Sequence, residues 1–154
     1  RYYERILAAK NDRSGHNLLR QSGFGYIDLK LHTNFDPSSE NCFEAFDQLE
    51  QYFKYMESYK GASKFLCSFS HIFAGGYSAG YFSYMWARVL SADCFEAFEE
   101  VGLNNKAKIS EVGLKFKETI LELGGSRHPS DVFKLFRGRS PTADAFIKHN
   151  GLVV

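Results

Sequence analysis

Cysteine, proline and net charge are all scarce in this chain. Its 154 residues hold three cysteines, Cys42, Cys67 and Cys94, far apart and without a CxxC pair. That excludes a dense disulfide framework and fits reduced thiols inside a cell. Lys and Arg number 19 against 18 Asp and Glu, a net charge of +1, so the total gives no reason to expect nucleic acid or an anionic membrane as partner. No apolar run is long enough to span a bilayer, and the first residues lack the charged-then-apolar order of a secretory signal. No membrane span is expected, and the expected location is the cytoplasm or the interior of a mitochondrion or plastid. Repeats, low-complexity segments, a GxxxxGK[ST] loop and an HExxH pair are all absent. The histidines, at 16, 32, 71, 128 and 149, show no zinc-ligand spacing, so this chain alone is expected to bind no metal.

What is present is helical periodicity. Only three prolines occur, all near predicted helix starts, and apolar residues recur at three and four positions, which predicts an all-α chain forming one domain. Helices are expected over Tyr2–Lys10, Gly15–His32, Ser39–Tyr55, Ser78–Glu100 and Asn105–Leu123, with two short ones at the end. In the second, Leu19, Gly23, Ile27 and Leu31 share a face, and Gly23 and Gly25 point to close packing against a neighbour. In the third, Phe43, Phe46, Leu49, Phe53 and Met56 form an apolar stripe. Lys60–Ser78, with Gly61, Ser63 and Gly75-Gly76, breaks the period and reads as a loop. Gly124-Gly125 terminates the fifth helix; Pro129 and Pro141 fit first-turn positions, Ser140 is a candidate cap, and Gly138 and Gly151 mark ends. The chain opens directly in helix-like sequence at Arg1, as a fragment, a processed product or a partial chain would.

The residues richest in chemistry stand in HIFAGGYSAGYFSYMW, His71 to Trp86. Tyr77, Tyr81 and Tyr84 are spaced i, i+4, i+7, so a helix starting near Ser78 would set them on one face, with Phe82, Trp86 and Val89 opposite. Packing is the ordinary reason for an aromatic stripe. Here the polar rings are segregated from the apolar ones and follow a paired glycine, which lets backbone approach a ligand or lets a loop hinge. A phenol is a neutral donor that can reach a developing oxyanion. His71, in the same glycine-rich loop, is a candidate substrate contact, against the commoner structural role of a lone histidine. Gly76-Tyr77-Ser78-Ala79-Gly80 spells G-x-S-x-G, but no strand precedes it and serine-hydrolase chemistry is not expected. The basic stretch KLFRGRSP could meet phosphate; a solvated helix end or a salt-bridged corner is the commoner case.

Four stretches, LLRQSGFGYIDLKLH, FSHIFAGGYSAGYFSYMWARVLSADCFEAF, ILELGGSRHPSDVFKLFRGRSP and the closing HNGL, together resemble the zinc oligopeptidases, the family of thimet oligopeptidase, oligopeptidase A and dipeptidyl carboxypeptidase, and within it the oligopeptidase A type. The resemblance implies an all-helical, two-lobed peptidase with a substrate channel, zinc in the intact enzyme, and short peptides as substrates. By motif position it implies that Tyr84 stabilises the oxyanion, and that His71, Gly75, Gly76, Tyr77 and Tyr81 contact the substrate backbone. Phe82 stands where many members have a further tyrosine. The family's HExxH helix and later glutamate ligand are absent from these residues. Residues 1–154 are therefore expected to be the C-terminal helical part of the catalytic domain, inactive alone, with the missing catalytic part of the same peptidase as partner. The competing expectation is a non-catalytic helical subunit that packs against a partner or binds peptide.

Overall fold

Eight α-helices and no strand appear among the residues described by the computed structural model, 2–53 and 64–152. They are α1 (Tyr2–Lys10), α2 (Ser14–Thr33), α3 (Cys42–Phe53), α4 (Phe65–Ser68), α5 (Ser83–Glu100), α6 (Lys106–Phe116), α7 (Pro129–Arg137) and α8 (Asp144–His149). The chain is all-α, as its periodicity predicts. Tyr55, Met56, Gly61 and Ser63 of the sequence reading lie outside the described residues. In place of one domain there are two compact units, Arg1–Trp86 and Ala87–Val154. The buried residues explain the division, because they gather in separate sets around α2 and around the later turns of α5.

In the first unit α2 is the spine. Its fully buried Ile27 meets Phe46 of α3 and Leu66 of α4, with Leu31, Phe43 and Leu49 packed around them. Burial of one such isoleucine stabilises by about 1.5–3 kcal/mol. Both expected close approaches occur on α2: a Cβ on Gly23 would lie 3.0 Å from Phe53, and one on Gly25 would lie 3.4 Å from the Phe82 Cα. A second cluster joins Phe69, Ile72 and Tyr81 to Phe24 and Phe65. α3 begins at Cys42 rather than Ser39. Asp36 takes the Ser38 amide at 2.9 Å and both serine hydroxyls to make a turn, and Asn41 Oδ1 then accepts the Phe43 amide at 2.9 Å. The described end of the expected Lys60–Ser78 loop holds α4 and a 3₁₀ turn, Ser70–Ile72.

In the second unit, Ala92 and Ala97 of α5 pack with Val132, Phe133 and Phe136 of α7 and Ala145 and Phe146 of α8 in the buried set. α7 follows its sequence signals: Pro129 opens it, His128 Nδ1 accepts the Ser130 amide at 3.3 Å, and Gly138 ends it at φ 76°. α6 is capped by Asn105, whose side chain accepts the Lys108 amide at 3.2 Å. It runs into a π-helical turn, Lys117–Leu121, closed by the Glu122 amide on the Lys117 carbonyl at 2.9 Å. An apolar groove of about 500 Å³ opens here between Leu90, Cys94, Phe98, Phe116, Ile120 and Phe133.

The expected Ser140 cap and the first-turn place of Pro141 are not adopted, since α8 starts only at Asp144. The cause is Asp93, fully buried on α5. It receives the Thr142 amide at 2.9 Å, Arg137 Nε at 2.9 Å, and Arg139 Nη1 and Nη2 at 2.7 and 2.8 Å. That holds residues 139–142 against α5 and out of a helix. Arg137 also reaches Glu100 at 2.7 Å and Glu96 at 3.3 Å. The basic stretch is thus a salt-bridged corner. Burial pushes the Asp93 carboxyl up, but the hydrogen bonds from Arg139, the Thr142 amide and Arg137 outweigh it and hold the group below its ordinary value.

Candidate functional site

The four aromatic candidates come together, though not as one helical face. α5 begins at Ser83, so of the three tyrosines only Tyr84 is helical; Tyr77 and Tyr81 lie in the turns before it. Ala79 takes a left-handed φ of 53°, which an uninterrupted helix from Ser78 would not allow. The rings nevertheless converge. Centroids lie 4.9 Å apart for Tyr77 and Tyr84 and 5.1 Å for Tyr81 and Tyr84. His71 stands 6.2, 5.9 and 6.3 Å from Tyr77, Tyr81 and Tyr84.

Local backbone chemistry builds this cluster. Ser70 O accepts the Gly75 amide at 2.7 Å, His71 O accepts the Tyr77 amide at 3.0 Å, and Ser78 Oγ donates to Ile72 O at 2.6 Å. The loop is folded back on itself. Glycine is required at 75 because a Cβ there would sit 2.8 Å from the His71 Cα, and it is favoured at 76 by φ +80° in open space. The paired glycine therefore serves a compact turn that brings Tyr77 over His71.

The phenols differ in what they offer. Tyr81 is buried, 8% exposed, and donates its hydroxyl to Gln21 Oε1 at 2.9 Å, while its ring packs on Phe69 at 5.0 Å. Burial raises its ionisation above the ordinary phenol value, against a smaller opposing effect from Arg20. Tyr77 and Tyr84 are 37% and 40% exposed. Tyr84 is also raised, first by its hydrogen bond with Tyr77, then by desolvation and the neighbouring phenols. The cluster presents neutral hydroxyls beside an exposed imidazole, a set suited to peptide carbonyls and to an oxygen gaining negative charge.

Residues 1–152 match the model of Peptidase family M3. The chain belongs to that family. It is similar to a probable cytosolic oligopeptidase A of Arabidopsis thaliana, 46% identical over 98% of this chain and 22% of the relative. An organellar, chloroplastic/mitochondrial oligopeptidase A of the same plant is also 46% identical, over 98% of the chain and 19% of the relative. Oligopeptidase A of Escherichia coli is 43% identical over 97% of the chain and 21% of its own length. The chain thus spans about a fifth of the curated relatives it matches.

Within this member of peptidase family M3, no three His, Cys, Asp or Glu side chains among the described residues are placed to hold a metal ion. The described residues by themselves do not make a zinc site. No described helix is long and apolar enough to cross a membrane. Two polar residues of the site were not among the sequence candidates: Gln21, which holds the Tyr81 hydroxyl, and Asp28, which takes the amides of Ala79 and Tyr81 at 2.9 Å each. The available signal for Asp28 was an acidic residue directly beside Ile27 on the buried side of α2.

Proposed function

We propose that this chain forms one wall of the peptide-binding channel of a zinc-dependent oligopeptidase, with Tyr84 donating to the oxyanion that forms on the scissile carbonyl. The observation that carries the reading is the convergence of His71, Tyr77, Tyr81 and Tyr84, with Tyr77 and Tyr84 part-exposed. As a substrate carbonyl becomes an oxyanion, it becomes a strong acceptor, and the Tyr84 hydroxyl donates to it. His71 and Tyr77 hold the substrate backbone on the open side, the Gly75-Gly76 turn leaves room for that backbone, and Tyr81 braces Tyr84 from beneath.

In this reading, zinc and its ligands belong to other segments of the longer polypeptide, and zinc supplies the Lewis acid when bound. Residues 1–154 are then the C-terminal helical part of the catalytic domain and are inactive alone. Short peptides are the substrates, in the cytoplasm or an organelle, in keeping with the names of the relatives.

Tyr84→Phe in the full-length peptidase tests the assignment. Turnover should fall by about 10²–10³ with little change in KM, because the contact strengthens only toward the transition state. An unchanged kcat would return Tyr84 to a packing role.

A further inference from the structure

We infer that Asp28, braced by His32, is a positioning residue for the Tyr84 hydroxyl: its carboxylate sets where α5 begins. This rests on the proposed role of Tyr84.

Asp28 is fully buried on α2, and both its oxygens are used. Oδ1 accepts the Ala79 amide at 2.9 Å, and Oδ2 accepts the Tyr81 amide at 2.9 Å. His32, one turn along α2, sets Nδ1 at 2.9 Å from the same Oδ1 and at 2.8 Å from the Asp28 carbonyl. The Asp28 carbonyl is an acceptor, so that nitrogen carries the proton and donates to it, with the carboxylate oxygen close beside. One face of the carboxylate thus holds the turn and the other is held by the helix it stands on.

The consequence is conformational. From local sequence the helix would continue back to Ser78. Ala79 instead sits at φ 53°, a conformation that costs an alanine about 1–2 kcal/mol and that needs an outside partner to persist. Two charge-assisted bonds to the amides flanking Gly80 are that partner. They stop the helix at Ser83 and fold Tyr77 back over Tyr84. A helix running on through residues 78–82 would instead carry Tyr77 away along its axis, because each residue adds about 1.5 Å of rise. Gly25, one turn of α2 nearer its start, leaves the room that lets Phe82 seat there, with its Cα 3.4 Å from where a Cβ would be.

Asp28→Asn in the full-length peptidase swaps one acceptor for a donor that faces a backbone N–H. Two readouts are taken: hydrogen exchange of the segment containing the Ala79 and Tyr81 amides, and steady-state kinetics on a short peptide, alone and combined with Tyr84→Phe. Exchange should rise at least about tenfold there, and kcat should fall by up to about 10²-fold with KM moving far less. The double variant should be no slower than Tyr84→Phe alone, since Asp28 acts through that hydroxyl. If exchange is unchanged, or if the two losses multiply, the inference is overturned while the role of Tyr84 stands. If Tyr84→Phe keeps full turnover, the role of Tyr84 falls and the positioning inference falls with it. Should Asp28→Asn fail to fold, His32→Ala removes the brace from the surface side, and the same two readouts should shift by several-fold. Unchanged values there overturn the inference equally.

Discussion

Arg137 Nε stands 2.9 Å from Asp93 Oδ1, and the two side chains are 5% and 0% exposed. A charge pair so far out of water is held by its hydrogen bonds, and removing one partner strands the other. Asp93→Asn should therefore destabilise the second unit by roughly 3–5 kcal/mol, read as a lower midpoint in denaturant unfolding. Lys148→Ala, which removes an exposed partner of Glu99, should change stability by less than about 1 kcal/mol.

Acid should find the same corner. Asp93, Glu99 and Glu100 all ionise below their ordinary values, Glu99 chiefly through its bond with His149 and Glu100 chiefly through Arg137. Their folded values lie below the unfolded ones. The stability they confer is therefore complete above the ordinary carboxylate range and is lost as pH falls through the folded values. Unfolding free energy should decline on acidification below about pH 4, and the decline should be shallower in Asp93→Asn. Equal slopes in both proteins would refute the linkage.

The two adjacent glycines should respond differently to one methyl group. Gly75→Ala puts a Cβ 2.8 Å from the His71 Cα and 3.0 Å from its carbonyl, so the His71 backbone must move. Gly76→Ala meets no atom within 4 Å and is only strained by φ +80°, a cost of about 1–2 kcal/mol. Peptidase assays on the full-length protein should show the larger kcat loss for Gly75→Ala. Thermal unfolding should show a modest loss for Gly76→Ala.

Cys94, in the wall of the apolar groove, is a poor nucleophile. Burial, with a smaller contribution from Asp93, pushes its thiol up to about 11, whereas Cys67 is exposed. A disulfide reagent at neutral pH should label Cys67 rapidly and Cys94 slowly, and the Cys94 rate should climb as pH approaches that value. Mass mapping of the labelled cysteines as a function of time would show the order.

Much of this was legible in local sequence, and the misses have one physical cause. The bounds of α1 and the Pro129 start and Gly138 stop of α7 follow from neighbours within a few residues. The salt-bridged corner at KLFRGRSP is made by Asp93, Glu96 and Glu100 from a distant stretch, and His71 meets the three tyrosines by a turn rather than by the expected helical stripe. The late start of α5 and of α8 is not written in the local sequence either. In each case a buried aspartate on a distant stretch of helix, Asp28 or Asp93, takes backbone amides that the local sequence would have given to a helix. The controlling partner lies 51 residues from Ala79 in one case and 49 from Thr142 in the other. Hydrophobic periodicity carries no record of such a bond, because a buried acid occupies a core position without looking like one.

The π-helical turn at Lys117–Leu121 has a geometric role of its own. Residues four apart on an α-helix drift steadily around its axis, and Phe116, Ile120 and Gly124 span two such steps while all lining the groove. One under-wound turn between them cancels much of the drift. It acts as a phase correction, one residue of slack that keeps three side-by-side positions in line. Deleting a single residue from this turn would restore an ordinary ladder and leave Phe116 and Gly124 about two full turns apart, still in line along the groove.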